Sequence, residues 1–457
     1  MLPMKTSVGR FLVSRLPILL IPVVLFLILV GQAVSVQATL GGPDGVARVP
    51  GQYIVVLKDS VMDADAVQED LERSSRAERL DTYRYALRGF SARLTSEAAE
   101  KLAHDPRVEF VSEDRMVSIA LDAGRLEADP RASSRDDARE RAHNPTSPAS
   151  TAPSQIFPTG IRRVGAVDLL NTGAGVQVAV IDTGIQTTHP DLSANIAGGK
   201  NCLRSGNYQD QNGHGTHVAG TIAGVNNAEG VAGVAPSAKL WAVRVLDKKG
   251  SGTWSQVICG LDFVTSKAPA NGGSIKVANL SLGGSGTSDN NCGLSNNDAL
   301  HRAICRARDA GVTIVVAAGN SGASASGFVP AAYDDAVITV SALADSDGAP
   351  GGEGLATSYG ADDTFASFSN YGTVIDIGAP GVSIYSTWLS GGYKTISGTS
   401  MASPHTAGAA ALYLASHPGA LWESVRDALI LAGEPLGEGH TDPSGKHKEP
   451  VLKVSAL

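Results

Sequence analysis

The chain has 457 residues, a formal net charge of −8 at pH 7, abundant glycine (52 residues) and few aromatic side chains (5%). This length exceeds one average domain and is sufficient for a large buried core. The negative charge, together with a sequence that has no long basic run, argues against a nucleic-acid-binding protein.

Residues 1–38 have the pattern of a secretory signal peptide. Three basic residues precede an apolar block over residues 16–30, and small residues follow through Ala38. The block is shorter than the ~20 residues that a membrane helix needs. We therefore predict a secreted, extracellular protein, with retention by an uncleaved N-terminal anchor as the alternative.

Export would place the cysteines in an oxidising compartment, where disulfide bonds form. The chain has four cysteines, and four cysteines allow three connectivities. The sequence does not decide between these connectivities. We favour Cys202 with Cys259 and Cys292 with Cys305.

The rest of the chain divides into two predicted folded regions joined by a linker. Residues 50–120 mix strand and helix patterns and predict a small α+β module with a marginal core. Residues 121–153 lose hydrophobic periodicity and are filled with Asp, Arg, Ser, Ala and Pro, which predicts a flexible linker. In the module we expect strands over residues 53–57, 85–94 and 108–111, and helices over residues 66–80 and 96–103.

The region from residue 154 to residue 457 alternates short apolar runs with helical segments. This alternation predicts an α/β fold with a doubly wound, mainly parallel sheet and helices on both faces. Chemistry gathers at the carboxyl ends of the strands in such sheets. We expect strands over residues 176–181, 240–245, 277–281, 312–317 and 336–341, and helices over residues 217–224, 254–266, 299–310 and 407–414.

Ser400 lies at the start of the last of these helices. Gly398-Thr-Ser-Met-Ala precedes a run of small and apolar residues over 407–414, and we expect Pro404 in the first helical turn. Free N–H groups and the positive end of the helix dipole favour developing negative charge at this position. Serine is also a common N-cap. This stretch alone therefore fits either a nucleophile or a cap.

Two further stretches supply the chemistry that a serine nucleophile needs. Asp182 ends the apolar run of Val-Ile-Asp-Thr-Gly, and His214 lies in Asn-Gly-His-Gly-Thr-His. A serine hydroxyl requires a base, and imidazole is suitable because its pKa lies near the working pH. A carboxylate on the other ring nitrogen sets the tautomer. The order Asp, His, Ser along the chain is that of subtilisin.

The chain resembles the subtilisin-like serine peptidases, the subtilase family, with an inhibitor-type propeptide. The three motifs and Ala317-Ala-Gly-Asn320 match the family from residue 155 onward, and residues 50–120 resemble its propeptide. The resemblance implies that Ser400 attacks the peptide carbonyl, His214 carries the proton and Asp182 orients His214. It also implies an oxyanion hole formed by the side chain of Asn320 and the backbone N–H of Ser400.

The same resemblance implies two substrate-binding segments that pair with an extended peptide by strand addition. Leu282, together with Phe328, predicts an apolar pocket for the residue before the cut. For Phe328, ordinary core packing is an equal alternative. The segments are Gly250, Ser251 and Gly252 on one side and Ser281, Leu282 and Gly283 on the other.

A structural calcium ion is the cofactor that the resemblance implies. Calcium prefers six to eight oxygen ligands, and the loop over residues 225–231 could supply several of them. An ordinary Asn/Gly-rich turn is the alternative for this loop. For the acidic segment 345–363 we favour solvated surface over a second ion site. The implied ligands are the side chains of Gln155, Asp191 and Asn227 and the carbonyl groups of Val225, Glu229 and Val231.

We therefore predict a monomeric, secreted serine endopeptidase that is made as an autoprocessed zymogen. Its partners would be polypeptide substrates and its own propeptide, and nucleic acid is excluded. A lipase would need Gly-x-Ser-x-Gly and another residue order, and a carboxyl-type serine peptidase would have Glu in place of His214. A peptide-binding pseudoprotease would lack one of the catalytic groups, and all are present. We interpret His189, His217, His301 and His405 as structural.

Overall fold

A computed structural model describes residues 46–119, 154–455 and 457. The predicted signal peptide and the whole of the predicted linker lie outside these residues. The described chain comprises an N-terminal module, residues 46–119, and a large domain that begins at residue 154. The favoured cysteine pairing is confirmed, because the disulfide bonds join Cys202 to Cys259 and Cys292 to Cys305.

The N-terminal module is an antiparallel sheet with two helices on one face. Strand order is β2-β3-β1-β4. Side chains alternate along β1, so that Val55 and Leu57 pack beneath the helices while Ile54 and Val56 pack toward the large domain. The elements are β1 (Arg48–Leu57), α1 (Ala64–Ser75), β2 (Glu78–Tyr83), β3 (Gly89–Arg93), α2 (Ser96–Ala103) and β4 (Val108–Ser118).

Several predictions for this module were wrong at their boundaries, including the strands predicted over residues 53–57 and 85–94, which span Arg48–Leu57 and Gly89–Arg93. The helix predicted over residues 66–80 ends at Ser75, because Arg76 adopts a left-handed conformation with φ of 56° and Glu78 begins β2. The strand predicted over residues 108–111 continues to Ser118. The additional residues of β4 pair with the large domain, and this pairing cannot be read from local periodicity.

The large domain contains an eight-stranded sheet within the described residues, in the order β14-β13-β11-β9-β5-β7-β6, with β15 beside β13. All neighbouring pairs are parallel except β13 with β14. The sheet strands are β5 (Gln177–Asp182), β6 (Ile196–Asn201), β7 (Lys239–Arg244), β9 (Ile275–Leu280), β11 (Thr313–Ala317), β13 (Ile338–Ala344), β14 (Thr364–Phe365) and β15 (Ile377–Pro380).

Helices cover both faces of this sheet, as predicted. Val178 and Val180 of β5 pack with helices α5, α8 and α9, whereas Ala179 and Ile181 pack with α6 and α7. The helices are α3 (Thr159–Arg163), α4 (Pro190–Ser193), α5 (His214–Ala223), α6 (Trp254–Ser266), α7 (Ala299–Asp309), α8 (Thr399–Ser416) and α9 (Trp422–Ala432). Short strands outside the sheet are β8 (Ser251–Thr253), β10 (Gly284–Ser285), β12 (Phe328–Val329), β16 (Ile384–Thr387) and β17 (Tyr393–Ile396).

No helix within the described ranges combines the length and the apolar character that crossing a bilayer requires.

Candidate active site

Asp182 and His214 meet at the carboxyl end of the central strand. Asp182 is the last residue of β5 and His214 is the first residue of α5. Both carboxylate oxygens of Asp182 lie close to the Nδ1 atom of His214, at 2.8 and 2.9 Å. The two side chains are 0% and 2% exposed, respectively. Because an ionised carboxylate only accepts hydrogen bonds, Nδ1 carries the hydrogen and Nε2 is left as the basic nitrogen.

Asp210, which the sequence analysis missed, holds the loop that presents His214. Its Oδ1 atom accepts the backbone N–H of Gly213, and its Oδ2 atom accepts both the N–H and the hydroxyl of Thr216. Gly213 has φ of 109°, and a Cβ atom there would lie 2.4 Å from the ring of Trp388. The sequence signal for this role was an acidic residue shortly before an Asn-Gly pair, a pattern that is typical of a turn held by a side chain.

Ser400 is the second residue of α8, and the residue that precedes the helix is Gly398. Ser400 is therefore not an N-cap. Its backbone N–H lies in the first turn and has no partner within the helix. Its Oγ atom donates to the carbonyl of Ser281 at 3.2 Å. Among the described residues, no hydrogen bond joins Ser400 to His214.

A buried chain of hydrogen bonds ties this serine to β9. Pro404 is the sixth residue of α8, which makes the prediction of a first-turn proline wrong. Because proline has no N–H, it leaves the Ser400 carbonyl without its helical partner, and the hydroxyl of Ser281 donates to it at 2.9 Å. Asn279 donates to the Ser281 hydroxyl at 2.9 Å and accepts from Ser403 at 2.7 Å. Sequence analysis did not identify Asn279 or Ser403.

Asn320 follows β11 and is anchored to the start of α8. Its Oδ1 atom accepts the backbone N–H and the hydroxyl of Thr399, both at 2.8 Å. These two donors identify which terminal atom of the amide is oxygen. Among the described residues, the Nδ2 group of Asn320 has no hydrogen-bond partner, so it is free to donate to a group in the cleft.

The cleft beside Ser400 contains an apolar pocket, and β4 of the N-terminal module runs past it. Leu282 and Phe328 both line the pocket, together with Ala317, Val329 and Ala331. Ser118 and Ile119, at the end of the N-terminal module, line it as well. Phe328 therefore lines the pocket, which was one of the two equal alternatives from the sequence.

Strand β4 lies between the two predicted substrate-binding segments. On one side it pairs antiparallel with β8, where Val117 is opposite Gly252 and Ser118 is opposite Ser251. On the other side Ser118 and Gly283 exchange two backbone hydrogen bonds of 3.0 Å. The N–H of Ile119 donates to the carbonyl of Gly250 at 3.0 Å. The backbone of both segments thus holds an extended chain, whatever its side chains are.

Helix α6 is the main docking surface for the N-terminal module. Asp114 of β4 accepts the backbone N–H of Ser255 at 3.0 Å and its hydroxyl at 2.6 Å, at the N-terminus of the helix. Burial raises the pKa of Asp114 to about 6. In the opposite direction, Asp262 of α6 accepts the N–H groups of Tyr85 and Ala86. A carboxylate of the module therefore accepts a backbone N–H of the large domain, and a carboxylate of the large domain accepts backbone N–H groups of the module.

The predicted calcium ligands converge at the start of the large domain. The amide of Gln155 accepts the N–H of Asn227 at 2.6 Å through Oε1 and donates to the Val225 carbonyl through Nε2. Asp191 is buried, and its Oδ2 atom accepts the N–H of Val231 at 2.7 Å. Its Oδ1 atom is buried and has no partner among the described residues. Glu229 lies in the same loop and donates its N–H to the side chain of Asn227.

The four histidines interpreted as structural are buried and bonded within the fold. Burial lowers the pKa of His217 to about 3 and that of His405 to about 4. His217 contacts the carbonyls of Ile384 and Lys394 through Nε2. His189 accepts the N–H of Asp191, and His301 contacts the carboxylate of Asp335. These contacts support the structural interpretation.

Comparisons with known proteins agree with this geometry. Residues 173–444 match the subtilase family and residues 52–120 match the peptidase inhibitor I9 family. An extracellular serine proteinase from Thermus sp. (strain Rt41A) is 37% identical over 424 residues, covering 87% of this chain and 88% of that protein. Subtilisin E from Bacillus subtilis (strain 168) is 35% identical over 402 residues, covering 86% and 88%.

A crystal structure of a cold adapted subtilisin-like serine proteinase is similar to the large domain. The TM-score is 0.53 at 35% identity, and the match covers 65% of this chain and 98% of that chain. The chain therefore belongs to the subtilase family. It is a serine endopeptidase that carries an inhibitor-type propeptide as its N-terminal module.

Asp114→Ala should weaken the docking of the N-terminal module, because the N–H and hydroxyl of Ser255 would both lose their acceptor. Leaving buried donors unsatisfied costs about 1–3 kcal/mol, so the inhibition constant of the separately produced module against the processed enzyme should rise by roughly 5- to 150-fold. Glu109→Ala, at an exposed position of the same strand, is the matched control. Equal inhibition constants for the two variants would contradict this docking contact.

Proposed function

We propose that Asp182, His214 and Ser400 form the catalytic triad of this endopeptidase. The observation that carries the proposal is the pair of short contacts from the buried Asp182 carboxylate to Nδ1 of His214, beside a cleft that already holds an extended chain next to Ser400. Such a carboxylate fixes the tautomer of the imidazole and stabilises the imidazolium that forms during the reaction.

In the proposed reaction, the hydrogen bond from Ser400 Oγ to the Ser281 carbonyl breaks. Ser400 Oγ then forms a covalent bond to the carbonyl carbon of the scissile peptide. Its proton passes to Nε2 of His214. The tetrahedral intermediate collapses as His214 returns that proton to the leaving amine, which breaks the C–N bond. Water then hydrolyses the acyl-enzyme by the same proton transfers, and Ser400 is regenerated.

The negative oxygen of the intermediate would be held by two donors. One is the backbone N–H of Ser400, which has no helical partner, and the other is the Nδ2 group of Asn320. The hydrogen bonds from Thr399 to Oδ1 of Asn320 turn Nδ2 away from Thr399 and hold the amide before substrate arrives. A donor that is already oriented needs no reorganisation in the transition state.

Substrates would bind as an extended strand between residues 250–252 and 281–283. This proposal is supported by strand β4, which occupies the position and bonds to the backbone of both segments. The pocket lined by Leu282 and Phe328 favours an apolar side chain on the residue before the cut. The N-terminal module would then act as a competitive inhibitor, with its C-terminal end in the cleft until the chain is cut between residues 120 and 154.

We also propose that the mature enzyme is a secreted monomer that acts without nucleic acid. The extracellular relative from Thermus supports secretion, and the net charge of −8 argues against nucleic acid as a partner. A calcium ion would fit beside Asp191, whose buried Oδ1 atom needs a partner. Calcium would supply positive charge there and stabilise the loop. The ligands would be the side chains of Gln155, Asp191 and Asn227 and the carbonyls of Val225, Glu229 and Val231.

Ser400→Ala tests the nucleophile directly. The variant should accumulate as an uncut precursor, whereas the wild type should be cleaved between residues 120 and 154 and should react with a fluorophosphonate probe. Intact mass and N-terminal sequencing give both readouts. Ser416→Ala, near the other end of α8, should behave as wild type. Normal self-cleavage by Ser400→Ala would refute the role of this serine.

Asn320→Ala tests the oxyanion donor. We expect kcat on a peptide substrate to fall by about 10²–10³ with little change in KM, a magnitude known from the equivalent loss of a side-chain donor in subtilisin. Ser321→Ala, an exposed neighbour, should leave kcat unchanged. A loss of less than fivefold in Asn320→Ala would remove this side chain from the mechanism.

Asp191→Asn tests the calcium site. Calcium should raise the Tm of the Ser400→Ala precursor by several degrees, since a ligand that binds only the folded state stabilises it. Asp191→Asn should need a higher calcium concentration for the same rise, whereas Asp168→Asn, an exposed control, should not. Identical calcium dependence of Tm in all three proteins would show that Asp191 is not a ligand.

A further inference from the structure

Three carboxylates converge in the segment that joins β13 to β14, residues 345–363. One oxygen from each of Asp345, Asp347 and Asp362 lies within 4.8 Å of the others. Asp345 and Asp362 are only 2% and 5% exposed, while Asp347 faces solvent. Like charges at this separation repel one another, and the repulsion is stronger where water is excluded. The cluster therefore needs something that offsets its charge.

The nearby arginines bond to groups other than the three cluster carboxylates. Arg162 donates to the backbone carbonyl of Asp347, and Arg163 is engaged by the carboxylates of Asp363 and Glu434. Within the described residues, none of the three cluster carboxylates takes part in a salt bridge. Their hydrogen-bond donors are backbone N–H groups of the same segment. These N–H groups orient the carboxylates, but they carry no full positive charge.

One carboxylate oxygen of Asp345 has no hydrogen-bond partner in the part of the chain that the structure describes. Oδ1 of Asp345 accepts the N–H of Gly348 at 3.0 Å, whereas Oδ2 is buried and has no hydrogen-bond partner among the described residues. A buried carboxylate oxygen in this state is costly unless a proton or a cation occupies the adjacent position. Asp345 is thus a buried residue, 2% exposed, that has an unsatisfied carboxylate oxygen and lies beside two further carboxylates.

The segment is built to bring backbone close to these carboxylates. The N–H of Gly354 donates to Oδ2 of Asp362 at 2.7 Å, and the N–H of Ser346 donates to its Oδ1 atom at 2.7 Å. A Cβ atom at position 354 would lie 2.6 Å from Oδ2 of Asp362. Only glycine allows this approach. The carboxylate of Asp362 is therefore held in place before any ion binds.

We propose that Asp345, Asp347 and Asp362 bind one calcium-type divalent cation in the 345–363 segment, at a site separate from the loop beside Asp191. The donor set is oxygen only, without histidine or thiolate, which selects a hard cation. One ligand is exposed, so water can complete the six to eight positions that calcium prefers. This proposal revises our initial preference for solvated surface in the segment.

The cation would stabilise the connection between this segment and the C-terminal region. Asp362 is followed by Asp363, which is paired with Arg163, and Arg163 is paired in turn with Glu434. The carbonyl of Asp363 accepts the N–H of Thr441. An ion that holds Asp362 would also restrain the adjacent Asp363 and so stabilise its buried ion pair with Arg163. The expected effect is on stability and not on the catalytic groups.

The test uses the full chain carrying Ser400→Ala, which prevents self-digestion, and titration with Ca²⁺ in a calorimeter after removal of metal ions by chelation. Asp347→Asn is the primary variant, because Asn keeps the oxygen that accepts the N–H of Ala349. Its calcium affinity at one site should fall at least about tenfold. Glu353→Gln removes the same charge from an exposed position of the same segment and should bind calcium as the parent does.

Asp345→Asn separates a bound cation from a bound proton. If a cation binds, this variant loses one equivalent of calcium, and calcium raises its Tm less than that of the parent. If a proton on Asp345 is the occupant, calcium binding is unchanged and the variant matches or exceeds the parent Tm in chelator. Asp191→Asn should instead lose the calcium ion that binds beside Asp191 and should keep the one that binds to residues 345–363. Unchanged calcium binding in both Asp345→Asn and Asp347→Asn would overturn the proposal.

Discussion

The contact between the carboxyl end of β9 and the first turn of α8 determines the arrangement of the active site. Pro404 removes one N–H from the helix, and the Ser281 hydroxyl replaces it as the partner of the Ser400 carbonyl. Asn279 and Ser403 complete this buried chain of hydrogen bonds. A polar network in the interior is stabilising only when each member is satisfied. The position of Ser400, the proposed nucleophile, is therefore set by the core and not by a surface loop.

The same strand end also forms one wall of the peptide-binding cleft. Ser281 bonds the helix, Leu282 lines the pocket and Gly283 exchanges two hydrogen bonds with Ser118 of the N-terminal module. Because recognition uses backbone groups, the cleft accepts the module in the same way that it would accept a substrate. In the proposed function, inhibition by the module and binding of substrate are thus two uses of a single surface.

Much of the fold was predictable because its signals are local. Apolar runs located the main strands of the central sheet, and the helix over residues 254–266 matched α6 at both ends. The predictions failed where a long-range contact overrides a local pattern. Strand β4 is longer than its apolar run because β8 and Gly283 pair with it. Pro404 lies inside α8 because Ser281 satisfies the carbonyl that the proline leaves free.

The sequence by itself determined which groups we propose to carry the chemistry, since the motifs of Asp182, His214, Asn320 and Ser400 each combine a polar side chain with a turn or a helix start. Only the tertiary structure decided how these groups are held. Asp210, Asn279 and Ser403 are ordinary polar residues in the sequence and become positioning residues through contacts with distant segments or buried partners. The carboxylates of residues 345–363 likewise look like solvated surface until folding buries two of them together, because burial and convergence are properties of the packed chain.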